Sequence, residues 1–159
     1  MAAFEPTHTM QSGKRNALLA IAVGGLIAGA LDITQAIILF GKKVPLLIAA
    51  GLLGKGALHG GGAGTYALGL FLHFFIAMSV ATIYYVASRR LRFMMEHWLI
   101  CGLFYGAAVD QVMTLIVLPL SALHAAGPYK LHDLLLGIAV HSIVIGLPIS
   151  FSVRRFGNN

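Results

Sequence analysis

The sequence predicts an all-α integral membrane protein: a bundle of four transmembrane helices, with a short re-entrant or interfacial helix between the first and second. Three observations carry this. Of 159 residues, 58% are hydrophobic and only 10% are charged, against about 25% charged in an ordinary soluble domain. Four runs, at 16–40, 64–88, 97–120 and 134–153, reach the roughly 20 apolar residues needed to cross a hydrocarbon core about 30 Å thick. The basic residues gather at the ends of these runs, where they act as topology signals. Little chain is left over, so 1–159 is read as one membrane domain.

The first run opens after Lys14 and Arg15 and passes through Ala28-Gly29-Ala30, which imitates a signal-peptide cleavage site. The apolar stretch continues beyond it through "ITQAIILF", so an uncleaved first span is expected. The next segment, "VPLLIAAGLLGKGALHGGGAG", is too short and too rich in glycine for a comfortable span, and Lys55 interrupts it. It reads as the re-entrant or interfacial helix, about 44–59, followed by a glycine hinge at Gly60, Gly61 and Gly62. It is not a phosphate loop. That motif needs glycine at 49 and Ser or Thr at 56, where the chain has Ala49 and Gly56.

The second run is bounded by Tyr66 and by Tyr84 and Tyr85, and the third opens with His97 and Trp98. Aromatic residues of this kind are expected at membrane interfaces. Pro119, near the end of the third run, frees the carbonyl of Leu115; Pro148, inside the fourth, frees that of Val144 and should kink the helix. Asp133 is placed to N-cap the fourth helix.

With four spans both termini share a side. That side carries Lys14, Arg15, Arg89, Arg90, Arg92, Arg154 and Arg155; the other carries Lys42, Lys43, Lys55 and Lys130. The excess of positive charge predicts cytoplasmic termini in a bacterial inner membrane. The net charge of +6 is accounted for by these ends, so the bilayer is the expected partner and nucleic acid is not.

Each span carries one ionisable residue: Asp32, His73, Asp110 and His141. Counted from the outer ends at about 1.5 Å per residue, all four lie about 11–15 Å deep. Each shares its helical face with small residues: Asp32 with Ala28, Gly29, Gln35 and Ala36; His73 with Gly69 and Ala77; Asp110 with Gly106, Ala107 and Thr114; His141 with Gly137. Such faces are built for helix contact rather than for lipid. A charged carboxylate at a helix centre costs about 2.5–3.5 kcal/mol on insertion scales. The economical arrangement pairs Asp32 with one histidine and Asp110 with the other.

Three uses of the layer are open: hydrogen-bonded structural glue; a site for protons or a small polar solute, as in a proton-linked transporter or channel; or a metal or haem site, with His73 and His141 as axial ligands of a b-type haem or the two His and two Asp around a transition metal. His124, His132 and Asp133 form a second candidate metal set in the outer loop. Gly25/Gly29 and Gly102/Gly106 are GxxxG pairs. They suggest a binding or interaction protein, as a subunit of a larger membrane complex or a homo-oligomer. Cys101, Met94, Met95 and Met113 read as packing residues. No nucleophile set or cofactor fingerprint is present, and an enzyme acting alone is not expected.

The stretches "VPLLIAAGLLGKGALHGG", "LGLFLHFFIAMSVATIYYVASRRL", "GLFYGAAVDQVM", "VLPLSA" and "VHSIVIGLPI" together resemble a family of small four-helix bacterial inner-membrane proteins, over about residues 20–155. More loosely, His73, Tyr105-Gly106, Leu118-Pro119-Leu120 and His141 follow the order of the YagU-like family. That resemblance implies the four-helix fold and the inner membrane, and an association with acid tolerance.

Overall fold

A computed structural model describes residues 7–125 and 127–157, with the side chains of 7–15 outside the description. The described chain is helical. Its elements are α1 (Thr7–Phe40), α2 (Val44–Leu53), α3 (Ala57–Gly60), α4 (Ala63–Arg90), α5 (Phe93–Glu96), α6 (Trp98–Val112), α7 (Leu118–Leu120), α8 (Leu131–His141) and α9 (Leu147–Phe156). A π turn at Met113–Val117 joins α6 to α7, and a second at Ser142–Gly146 joins α8 to α9. Four stretches are long and apolar enough to cross a membrane: Asn16–Phe40, Ala63–Arg90, Trp98–Leu120 and Leu131–Phe156, called here spans 1 to 4.

Span 1 packs against spans 2 and 4, and span 4 packs in turn against span 3. Spans 2 and 3 are bridged by aromatic side chains. The Tyr105 hydroxyl donates to the Val80 carbonyl at 2.7 Å, and the rings of Tyr84 and Tyr105 meet edge to face with centroids 4.9 Å apart. The core is built around Ala20, Ala28, Ala81, Tyr84, Ile145, Ile149 and Val153. Large side chains such as Leu18, Ile38, Phe71, Phe104 and Leu120 point outward, the arrangement lipid requires when packing rather than the hydrophobic effect joins the helices.

Glycines set the closest approaches. A Cβ at Gly106 would run into the His141 carbonyl, and one at Gly146 into the Gly102 carbonyl. Spans 3 and 4 therefore meet backbone to backbone. Gly25 and Gly29 lie against Met78, Phe74 and Ala77 of span 2. Both GxxxG pairs are thus occupied inside the chain.

The structure changes several expectations. Tyr84 is no interface marker: it is fully buried, and its hydroxyl donates to the Met94 carbonyl at 3.2 Å. Asp133 does not cap span 4, because the helix begins at Leu131 with Lys130 at the N-cap. Asp133 stands in the first turn instead, where a negative charge still suits the helix dipole. The two prolines follow π turns; Pro119 and Pro148 each lie two residues beyond one. Loosening the ladder into wider turns accommodates the carbonyl that each proline ring would otherwise strike.

The segment 44–59 forms two short helices, α2 and α3. α3 ends at Gly60 and α4 begins at Ala63, so the helix breaks at the expected glycines, and further turns fall at Gly41 and Gly54, with φ of +91° and +83°, a conformation that suits glycine. α2 packs on α4, with the Pro45 carbonyl pressed on Gly69, and reaches the far end of span 3, where the Ala122 N–H donates to the Gly51 carbonyl at 2.8 Å. It therefore lies across the mouth of the bundle at that end.

Candidate functional site

The four ionisable residues meet. Asp32 lies eight residues from the end of span 1 at Phe40; His73, Asp110 and His141 each lie ten residues from the corresponding ends at Ala63, Leu120 and Leu131. At about 1.5 Å per residue they share one depth of about 12–15 Å. His73 Nε2 stands 4.0 Å from one Asp32 oxygen, and His141 Nε2 stands 3.9 Å from the other. The opposite ring nitrogen of His141, Nδ1, is 3.2 Å from Asp110 Oδ1. Gln111 Nε2 donates to Asp110 Oδ2 at 2.8 Å. The result is one lateral chain: His73, Asp32, His141, Asp110, Gln111.

The expected one-to-one pairing is therefore replaced. His141 is shared between both carboxylates, while His73 faces Asp32 and not Asp110. The sequence could not show this, because it depends on which spans are neighbours. Span 4 sits between spans 1 and 3, which puts His141 in the middle.

The local fold holds each group in place. The π turn of span 4 begins at Ser142, immediately after His141, and that of span 3 begins three residues beyond Asp110. Gly137 leaves room for Asp110, since a Cβ there would come within 2.5 Å of its Oδ1. The Gly137 carbonyl also accepts from His141 Nδ1 at 3.0 Å, and the Gly29 carbonyl accepts from His73 Nε2 at 2.8 Å. A carbonyl only accepts, so His141 carries a proton on Nδ1 and His73 carries one on Nε2.

Those tautomers decide what the site presents. With neutral rings, His141 Nε2 is an acceptor, and it faces an acceptor oxygen of Asp32. Asp110 already accepts a hydrogen bond from Gln111 and has His141 Nδ1 beside it at 3.2 Å. Among the described residues the Asp32 carboxylate accepts no direct hydrogen bond, as the two histidines stand at 3.9 and 4.0 Å, beyond the usual 2.7–3.2 Å. The Asp32–His141 gap thus calls for a proton or a donor.

The gap opens into a cavity of about 90 Å³ lined by Asp32, His73 and His141, with apolar walls from Ile48, Ile76, Ala77, Val80, Val109, Met113 and Ile145. Ile48 comes from the middle of α2 and covers the cavity on the α2 side. On the other side, Val80 leads to Tyr105 and the buried Tyr84. Gln111, Ile48 and the Gly29 carbonyl were missed by reading the sequence. Gln111 alone had a visible signal, as a polar residue in an apolar run beside Asp110.

Gln35 stands one turn beyond Asp32, half-buried, and does not join the chain of contacts. A haem does not fit between His73 and His141: about 90 Å³ is far below even the roughly 300–1,000 Å³ of pockets that hold drug-sized ligands. Nor do the four side chains converge on one point for a transition metal, because His141 separates the two carboxylates. Among the described residues no group of three or more His, Cys, Asp or Glu is arranged to hold a metal ion. In the first turn of α8, His132 Nδ1 lies 3.3 Å from Asp133 Oδ1 and both are well exposed, while His124, with φ of +47°, lies in the preceding loop and is not part of that contact.

Fold and site together define a multi-pass α-helical membrane protein with an ionisable layer inside the bundle. Comparison with protein-family models, curated proteins and solved structures returns no match to this chain.

Proposed function

We propose that this is a proton-handling carrier of the bacterial inner membrane, with both termini in the cytoplasm, in which Asp32 and His141 take up and release the working proton. One observation carries the reading: a carboxylate and an imidazole nitrogen, both acceptors, face each other across 3.9 Å beside a small cavity. An imidazole between two carboxylates can gain a proton on one nitrogen while the other stays bonded. The four groups share one depth, so the layer is a binding station and not a wire across the bilayer. Movement to either side requires displacement of the covering residues, with Ile48 of α2 on one side.

Intramembrane Asp and His mark proton or solute paths by default, and the small cavity favours this over a purely structural use. The interaction-protein reading is weaker, since both GxxxG pairs that motivated it pack inside the chain. The test is proton movement into proteoliposomes carrying an internal pH dye, under an imposed potential. Wild-type flux should exceed that of empty liposomes and fall at least about tenfold in Asp32→Asn and His141→Ala. Equal flux in wild type and both variants would refute the reading.

A further inference from the structure

We propose that the seat between Asp32 and His141 takes a small cation that carries hydrogen-bond donors, of the ammonium or methylammonium class. The inference rests on the reading of the layer as a working site, and names its ligand.

The donors of the neutral histidines are already committed, His73 Nε2–H to the Gly29 carbonyl and His141 Nδ1–H to the Gly137 carbonyl. Three acceptors remain around the gap: both Asp32 oxygens and His141 Nε2. An occupant must therefore donate, and at more than one point. The charge agrees. Asp110 accepts a hydrogen bond from Gln111, whereas among the described residues Asp32 accepts no direct one, so a cationic donor suits the place beside Asp32. A donor seated to the side of the gap, in the cavity, reaches both Asp32 and His141.

Size and wall chemistry narrow the class. A volume of about 90 Å³ is that of about three water molecules at roughly 30 Å³ each. An ammonium ion fits with water, and methylammonium fits with its methyl group against Ala77, Val80 or Ile145. A bare metal cation is poorly served, because hard cations want six or more oxygens and the other walls are apolar. Tetramethylammonium has the charge but no donor.

The experiment is thermal unfolding of the full chain in mild detergent, followed by circular dichroism, with the chlorides of ammonium, methylammonium, potassium and tetramethylammonium at equal ionic strength. Ammonium and methylammonium should give a rise that grows with the logarithm of concentration and reaches about 3–6 °C at ten times the dissociation constant. Potassium and tetramethylammonium should give none, and Asp32→Asn should lose the response. The wild-type series stands by itself should that variant fold poorly. An equal shift with potassium, a shift with tetramethylammonium, a response retained in Asp32→Asn, or no shift at all would overturn the assignment. Proton flux in ammonium-free proteoliposomes without any cation-specific shift would overturn this ligand and leave the proton reading standing.

Discussion

His141 Nδ1 stands 3.2 Å from Asp110 Oδ1, while the other nitrogen of the same ring stands 3.9 Å from Asp32. One imidazole thus has a closed side and an open side. The closed side is tied by Asp110, Gln111 and the Gly137 carbonyl. The open side faces the cavity.

The two carboxylates should separate by role. Asp110→Ala removes a buried acceptor and leaves the Gln111 amide unmatched. It should destabilise the protein by about 1–3 kcal/mol, measured by unfolding in mixed micelles. Asp32→Asn keeps the volume and breaks no direct bond, so its cost in the same assay should be under about 1 kcal/mol while proton flux falls.

Close backbone packing of spans 3 and 4 predicts a steep steric effect. Gly106→Val would drive side-chain atoms into the His141 and Ser142 backbone. A loss of about 1–3 kcal/mol or more is expected from overpacking alone. Gly64→Ala, at a position open on all sides, should be neutral within about 0.5 kcal/mol. Similar losses in both would contradict the packing described.

Ile48 covers the cavity from α2, so trimming it should open the site. In a Cys101→Ser background, Ile145→Cys should react slowly with a small water-soluble thiol reagent. Adding Ile48→Ala should raise that rate at least about tenfold. An unchanged rate would mean that α2 does not cover the site.

Tyr105→Phe removes one interhelical hydrogen bond, to Val80. The expected cost is about 0.5–1.5 kcal/mol, read as a lower unfolding midpoint. The variant should leave proton flux intact, because Tyr105 does not line the cavity.

The spans were legible in the sequence because apolar run length is a direct physical requirement of the bilayer. Their bounds match to within about three residues, the largest shift being span 4, which starts at Leu131 instead of 134. The shared depth of Asp32, His73, Asp110 and His141 was also legible, since helical rise converts sequence position into height. Azimuth was not. Which histidine meets which carboxylate depends on the order of spans around the bundle, and uniform apolar faces give no vectorial signal for it. Tyr84 shows the same limit: a tyrosine near a span end suits an interface, yet here it fills the core between spans 2 and 3. The π turns were half legible. The prolines announced a disturbed ladder, and the π turns just before them are the form that the disturbance takes.

Those wide turns have a consequence for the length of the protein. A π turn amounts to one extra residue threaded into an α-helix, so it rotates everything beyond it by about 100° relative to an uninterrupted helix. Met113–Val117 and Ser142–Gly146 act as phase shifters. Asp110 belongs to one phase of span 3, and the Thr114 carbonyl, to which the Tyr129 hydroxyl donates at 2.9 Å, lies beyond the start of the shift. Deleting a single residue from either turn would return the ladder to simple α-helix and swing one half of the span out of step with the other. A change of one residue in either turn therefore puts the two halves of its span out of register.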